Sequence, residues 1–219
     1  MDKLRLRFSK TGRAVYISHL DLMRTMQRAF LRAGYPLKYS EGFNPHAQIS
    51  ILLPLSVGCS SVCELMDFSL REEAEVNEIP ARLTAVMPEG IAVTEAYRSV
   101  SKAKELKWLE ISGRFEYDER KTPDMLSPLG EFFSRESIVI VKKTKRGEGQ
   151  ADIRPAIRDI SFADGDDCVK LHAVISAQEP TLNPELLVSA LRQLAPELAP
   201  DFAEFERIET YDSGMNIFR

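Results

Sequence analysis

The sequence lacks the features that mark secreted, membrane-spanning or disulfide-stabilised proteins. It holds three cysteines in 219 residues, an odd number that does not suit a disulfide framework. Its first residues, MDKLRLRF, contain no apolar run like that of a signal peptide. No stretch approaches the roughly 20 apolar residues that a membrane span needs. We therefore expect a cytoplasmic protein with no membrane segment.

The sequence also has few residues that could hold a metal. Cys59 and Cys63 form a C-x3-C pair, but no second Cys/His pair supplies the other two ligands of a common zinc site. A radical-SAM iron–sulfur cluster needs three closely spaced cysteines, and the third cysteine, Cys168, is far away in the sequence. We expect no metal and no cofactor, and three thiols that are buried or incidental.

The charge is unevenly distributed along the chain. Residues 1–50 carry nine Lys/Arg and three Asp/Glu, a balance of +6, and the remainder carries 20 and 30, a balance of −10, which gives the total of −4. A basic N-terminal segment followed by an acidic remainder indicates that one face of the protein is kept positive for a partner. The other bulk values, 44% hydrophobic and 28% charged residues, are those of an ordinary globular protein.

Hydrophobic periodicity predicts the same order of elements twice. The first half predicts strands at residues 4–8, 49–53, 62–70 and 91–97, and helices at residues 19–33 and 72–86. The second half predicts strands at residues 109–117, 137–143, 169–177 and 205–211, and helices at residues 125–134 and 183–194. We therefore expect an α+β protein with two ferredoxin-like (βαββαβ) lobes, residues 1–98 and 108–219, the second less regular.

A basic stripe is the clearest functional signal. Arg24, Arg28 and Arg32 follow at four-residue intervals on the predicted helix 19–33, so they share one face. No acid follows Asp21 in this helix to neutralise them. A solvated helix face is the simpler interpretation. Guanidinium groups also suit bidentate phosphate contacts, which makes RNA a reasonable partner.

A polar turn follows the stripe at residues 40–46, SEGFNPH. Its Asn-Pro step is a rigid turn signal, and Gly42 is expected to supply a backbone angle that other residues avoid. Phe43 either packs as a plug on the core, which we favour, or is exposed and can stack on a base. The candidate contact residues of this segment are Lys38, Ser40, Phe43, Asn44 and His46.

Two histidines flank the basic stripe in the sequence. His19 lies in the first helical turn, where it is either simply exposed or beside helix amides that attract anions. His46 is either a turn residue or part of a site. Two histidines near a basic groove could cleave RNA by general acid–base chemistry, but the spacing does not bring them together.

A second basic segment lies in the other half of the chain. Lys142, Lys143, Lys145 and Arg146 precede Gly-Glu-Gly and predict a basic loop after a strand. A solvated hairpin is the simpler interpretation of this segment. As a polyanion contact, this loop would add to the affinity of the first segment.

The chain resembles the radical-SAM-linked proteins, a bacterial family that is also called the DUF2344 domain. The resemblance rests on residues 16–21 (YISHLD) with Arg24 and Arg28, on residues 40–46 (SEGFNPH) and on residues 54–58 (PLSVG). It is densest over residues 3–70. This chain is similar to the stand-alone form of the family, because it has no iron–sulfur motif.

The resemblance implies an accessory role beside a radical-SAM enzyme as partner, and it supplies no catalytic residues. Together with the charge, it favours a binding module that presents RNA to a modification enzyme. One alternative is a protein-interaction subunit that docks on the enzyme without nucleic acid. A third is a metal-independent ribonuclease that uses His19 and His46.

Overall fold

The computed structural model describes residues 3–118, 122–144 and 147–219 of the chain. The chain divides into two compact units. Unit 1 extends to Glu105 and includes Phe218–Arg219, and unit 2 is Leu106–Ile217. Both units combine helices with antiparallel sheets, so the protein is of the mixed α and β class that the periodicity predicts.

Unit 1 contains four strands and two helices in the order β-α-β-β-α-β. They are β1 (Leu4–Lys10), α1 (His19–Arg32), β2 (Ile49–Ile51), β3 (Ser60–Phe68), α2 (Ile79–Thr84) and β4 (Ile91–Arg98). Within the unit the strands lie in the order β4-β1-β3-β2, and each neighbouring pair is antiparallel. The two middle strands are therefore not consecutive in sequence, so α1 crosses over the sheet to connect β1 with β2.

Helix α1 begins and ends where the sequence predicts. Ser18 is its N-cap, and the Ser18 hydroxyl accepts a hydrogen bond from the Asp21 N–H at 3.2 Å. Its buried face packs on the sheet, where the Phe30 and Phe68 rings lie 4.9 Å apart. This face carries the larger share of the helix's stability, since burying such a side chain contributes about 1.5–3 kcal/mol.

The predicted helix at residues 72–86 is wrong over most of its length. Only Ile79–Thr84 is α-helical, preceded by a short 3-10 turn at Val76–Glu78. Pro80 explains the late start: it has no N–H to donate and its ring clashes with the preceding turn, so it fits only the first turn of a helix. The acidic residues before Pro80 therefore lie in a loop and a short 3-10 turn.

A buried ion pair joins the two central strands of unit 1. Arg5 on β1 lies directly opposite Asp67 on β3, its Nε donates to the Asp67 carboxylate at 2.7 Å, and its side chain is fully buried. Arg5 Nη2 also donates to the Ser101 carbonyl at 3.0 Å, and the guanidinium lies 4.9 Å from the centre of the Phe218 ring. Arg5 is thus covered on the sheet face opposite the helices.

The described residues of unit 2 form six strands and two α-helices. They are β5 (Trp108–Glu116), α3 (Thr122–Phe133), β6 (Val139–Thr144), β7 (Gly147–Asp152), β8 (Ile157–Asp164), β9 (Val169–Ser176), α4 (Glu185–Leu194) and β10 (Phe202–Tyr211). Four strands form an antiparallel sheet in the order β10-β5-β9-β8, and β6 and β7 form a separate two-stranded hairpin.

The β6–β7 hairpin corrects one prediction for the second half and agrees with another. The strand predicted at residues 137–143 is β6, which belongs to the hairpin instead of the main sheet. The described part of the basic segment lies in this hairpin, as its simpler interpretation predicts, and the Gly-Glu-Gly segment is part of β7. The strand that follows β5 in the sequence within the main sheet is β8, and the sequence does not predict it. Its charged and polar positions, in IRDISFAD, hide the period of two because it lies at the edge of its sheet.

Three polar side chains on neighbouring strands of unit 2 are linked by hydrogen bonds. His172 Nε2 on β9 lies 2.8 Å from a carboxylate oxygen of Glu110 on β5, and the Tyr211 hydroxyl on β10 donates to the other oxygen. These hydrogen bonds favour the carboxylate form and lower the pKa of Glu110 below its usual range.

Among the described residues no helix is long and apolar enough to span a membrane.

The buried ion pair yields a stability prediction. Asp67→Asn leaves the buried Arg5 guanidinium without its counter-charge, and we expect it to lower the free energy of unfolding by about 3–5 kcal/mol. Lys3→Ala is the matched control, because Lys3 contacts the same carboxylate at 2.7 Å from an exposed position and should cost about 0–1 kcal/mol.

Urea unfolding followed by circular dichroism measures both changes, and amide hydrogen exchange in β1 and β3 reports on unit 1 alone. Equal losses in the two variants would show that burial does not govern this pair.

The Glu110 network predicts a pH dependence. Glu110→Gln removes a charged acceptor and should lower the stability of unit 2 by about 1–3 kcal/mol at neutral pH. Because folding lowers the pKa of Glu110, the difference is complete above its usual value of 4.5 and disappears as the pH falls through the folded-state pKa. Thermal unfolding from neutral to acid pH checks this, with Glu116→Gln, a half-buried carboxylate on the same strand, as control. A difference that persists in acid would contradict it.

Candidate nucleic-acid interface

The arginine stripe lies on the outside of α1, but its three members have different surroundings. Arg24 contacts Asp21 one turn earlier at 3.2 Å, and both side chains are exposed. Arg32 donates to the Val86 carbonyl at 2.7 Å and so ties the end of α1 to the segment after α2. Arg28 is exposed and has no ion-pair or hydrogen-bond partner among the described residues. Of the stripe, Arg28 is thus the residue whose whole guanidinium is available.

The start of α1 is rigid and partly neutralised. The Ser18 hydroxyl donates to the Asp21 carboxylate at 2.7 Å, and together with Arg24 it lowers the pKa of Asp21. His19, the first residue of the helix, is exposed. The Asp21 charge therefore occupies the position near the helix amides where an external anion would otherwise bind.

The 40–46 loop is closed by bonds between its first and last residues. The Ser40 hydroxyl lies 2.9 Å from His46 Nδ1 and accepts a hydrogen bond from the His46 N–H at 3.1 Å. The Ser40 N–H in turn donates to the His46 carbonyl at 2.9 Å. Gly42 has φ of +118°, an angle that side-chain-bearing residues rarely adopt, as its position in the turn predicts. The loop therefore has a defined conformation.

Phe43 is fully exposed, so the favoured interpretation as a plug on the core is wrong. Its relative exposure is 112%, which is that of a side chain standing free of its neighbours. The backbone turn explains this, because Ser40 and His46 close the loop on themselves and its tip points away from the sheet. Tyr39 beside the loop is half exposed at 50%, and Lys38 and Asn44 are also exposed. The alternative interpretation, an aromatic ring available for stacking, is the one that the fold permits.

The two candidate histidines are attached to opposite ends of strand β3. Lys10, whose ammonium bonds the Ile17 carbonyl just before α1, lies opposite Ser61 at the start of β3. Lys38, just before the 40–46 loop, donates its N–H to the Ser69 carbonyl after the end of β3. Eight residues of strand separate these points, about 27 Å. Within the described part of the chain, no contact brings His19 and His46 together.

The second basic segment is only partly described. Lys142 is half-buried and lines a cavity of about 580 Å³ between β6 and α4, together with Thr181, Asn183, Ser189 and Gln193. Gln193 pairs with the backbone N–H and carbonyl of Val141, which holds the hairpin on α4. The backbone of Lys143 lies in β6, and Lys145 and Arg146 lie outside the described residues.

Two features of the surface escaped the sequence analysis. One is the Glu110–His172–Tyr211 network, whose members lie far apart in the sequence and meet only through strand pairing. The other is the exposure of Leu20 and Leu31 on α1, which reach 65% and 76%. Their spacing of eleven residues, three helical turns, is the signal that could have placed them on one face.

The cysteines and other metal-binding side chains form no cluster in the described part of the chain. All three thiols are buried, in agreement with the prediction that they behave as small apolar residues. No group of three or more His, Cys, Asp or Glu side chains among the described residues is arranged to hold a metal.

Two solved structures that the chain is similar to share little sequence identity with it. The chain aligns with a chain titled "Crystal Structure of a Cbf5-Nop10-Gar1 Complex" at 10% identity and a TM-score of 0.48, covering 94% of this chain and 48% of that chain. It also aligns with an unknown protein from Galdieria sulphuraria at 9% identity and a TM-score of 0.26, covering 94% and 98%. The chain thus spans about half the length of the first of these. A search of curated proteins found no match.

A family comparison gives the more specific result. The family described as "Uncharacterized protein conserved in bacteria (DUF2344)" matches residues 3–184, which include all of unit 1 up to Glu105, the 40–46 loop and the helix stripe. The chain belongs to the DUF2344 family.

Proposed function

We propose that this protein is a cytoplasmic accessory module that binds single-stranded RNA with the 40–46 loop and presents it to a radical-SAM enzyme. The exposed Phe43 carries this proposal. An exposed phenylalanine forgoes the roughly 1.5–3 kcal/mol that burial would provide, so a partner that covers it gains that contribution. A base stacked on an aromatic side chain contributes about 1–3 kcal/mol.

The surroundings of Phe43 suit a nucleic acid. Lys38 and the half-exposed Tyr39 precede the loop, and Asn44 and His46 offer hydrogen-bonding groups beside the ring. Single-stranded RNA is recognised by stacking on aromatic rings together with polar contacts to base edges and phosphates. The bonds between Ser40 and His46 hold the loop in one conformation, which reduces the entropy lost on binding.

We further infer that each unit is a ferredoxin-like lobe. Both units have strand order 4-1-3-2 for the four strands of their sheet, if the β6–β7 hairpin is taken as an insertion between α3 and β8. This is the arrangement of the split βαβ motif. The fold is shared by proteins with many functions, so the argument for RNA rests on the loop and not on the topology.

Replacing Phe43 tests the stacking. We expect Phe43→Ala to weaken binding of a fluorescent twelve-nucleotide oligouridylate by about tenfold, equivalent to about 1.4 kcal/mol, because the base loses its platform. Phe43→Trp should retain the affinity. Phe202→Ala is the matched control, because Phe202 is also an exposed phenylalanine, at 53%, but lies on unit 2. Fluorescence anisotropy at low and near-physiological salt provides the affinities.

Equal affinity of Phe43→Ala and wild type, or no binding of wild type at low salt, would contradict the proposal. Lys38→Gln adds a second check, since loss of one phosphate contact should reduce the slope of log affinity against log salt by about one.

The loop closure yields an independent prediction. Ser40→Ala removes the hydroxyl that bonds the His46 N–H and ring, so the His46 amide should exchange with solvent about fivefold faster, as expected for a bond that contributes about 1 kcal/mol. RNA affinity should fall several-fold while Phe43 remains in place. Ser40→Thr keeps the hydroxyl and is the control. Unchanged His46 exchange in Ser40→Ala would show that other contacts fix the loop.

A further inference from the structure

The outer face of α1 is a second surface that the RNA-binding loop does not use. We define this face by Leu20, Arg24, Gln27, Arg28 and Leu31. Eleven residues separate the two leucines, so they lie on one side of the helix about 16 Å apart. Arg24 and Arg28 lie between them.

The exposure of these leucines is not required by the packing of α1. The inner face of the helix is already complete, with Leu22, Met26, Ala29 and Phe30 buried against the sheet. Leu20 and Leu31 stay 65% and 76% exposed, and Tyr16 just before the helix is 73% exposed. Single exposed leucines are common, but two on one helix face, beside an exposed tyrosine, indicate an interaction surface.

The face is also rigid before any partner binds. Ser18 caps its first turn, and Arg32 ties its last turn to the Val86 carbonyl. A partner would therefore meet Leu20 and Leu31 in fixed positions, and little conformational entropy would be lost on docking.

The chemistry of the face selects among partners. Leucine side chains have no aromatic plane for a base, so they would weaken an RNA interface that the arginines alone could form. A second copy of this chain docked face to face would bring Arg24 and Arg28 against the same arginines, which is repulsive. Arg28 has no acidic partner among the described residues, and no acid follows Asp21 within α1. A carboxylate from a protein partner would give Arg28 the counter-charge that it lacks here.

We propose that the outer face of α1 docks a protein whose surface carries an apolar groove edged by carboxylates. Leu20 and Leu31 fill the groove as anchors three turns apart, in the manner of a helix laid in a hydrophobic groove. Arg24 and Arg28 pair with the carboxylates at its edge. The inference deepens the proposed function by giving the accessory module a contact for its partner, and it rests on that function only in assuming that a partner protein exists.

A displayed library of random peptides about 15 residues long, enough for four helical turns, tests the surface directly. The library is selected on the wild-type full chain and counter-selected on Leu20→Ser/Leu31→Ser, whose fold is checked by circular dichroism. We expect the enriched peptides to combine bulky apolar residues with Asp or Glu. A synthesised enriched peptide should bind each single Leu→Ser variant about tenfold more weakly than wild type, as at other interface hot spots.

Charge and position are separated by two further variants. Arg24→Glu/Arg28→Glu should lose the peptide, because it reverses the charge at the groove edge. Val100→Ser is the matched control and should bind like wild type, since Val100 is 90% exposed in the segment next to Ser101, on the other side of the unit 1 sheet.

Two observations would show that this face binds something else, and either would overturn the proposal. One is a dimer in sedimentation that Leu31→Ser abolishes, and the other is oligouridylate binding that Leu20→Ser/Leu31→Ser abolishes. Basic enriched peptides, no enrichment, or equal affinity for the counter-selected variant would also overturn it. Phe43→Ala leaves the outer face of α1 intact, so failure of RNA binding and failure of peptide binding are distinguishable.

Discussion

A fully buried guanidinium at the centre of unit 1 fixes how its two middle strands pair. Arg5 and Asp67 lie opposite each other across β1 and β3, and a shift of one residue would move one of them to the helix side of the sheet. The apolar side of β1, with Leu6 and Phe8, would then face the polar contacts. Burying an unpaired charge costs several kcal/mol, so other registers are strongly disfavoured.

The same contact limits where unit 1 can bind a partner. The helices cover one face of its sheet, and Ser101 and Phe218 cover Arg5 on the other. The exposed Phe43, Leu20 and Leu31 lie elsewhere, on the 40–46 loop and on the outer face of α1. Binding through these residues therefore uses side chains that project from the surface of unit 1.

Unit 2 presents a different surface. The side of its sheet that carries Glu110 is polar, and alternation along β5 and β10 places Glu116 and Glu204 on the same side as Arg114. An open four-stranded sheet of this kind can hold RNA when aromatic and basic residues dominate. Here the Glu110 carboxylate adds negative charge to that side, and its hydrogen bonds lower its pKa and so favour the charged form. The sheet face of unit 2 is therefore less suited to a polyanion than the loop of unit 1.

Local signals in the sequence predicted much of unit 1. Ser18 and Asp21 mark the start of α1, alternation in LRLRF marks β1, and the order of elements follows. Pro80 shortens the second helix for a reason that is visible in the sequence but was outweighed by the apolar spacing. Strand β8 could not be identified in this way, because an edge strand with polar neighbours loses its hydrophobic period.

The candidate site was harder to predict because exposure depends on the tertiary structure. Of the nine basic residues in the first fifty, Arg5 and Lys10 are buried, and burial also lowers the pKa of Lys10. Net charge in the sequence therefore overstates the positive surface. Phe43 differs in the opposite direction, because it is apolar and yet exposed. From sequence alone an aromatic residue is assigned to the core, unless the closure of its loop is known. A surface assignment thus depends on which side chains the fold leaves uncovered, and in unit 1 these include Phe43, Leu20 and Leu31.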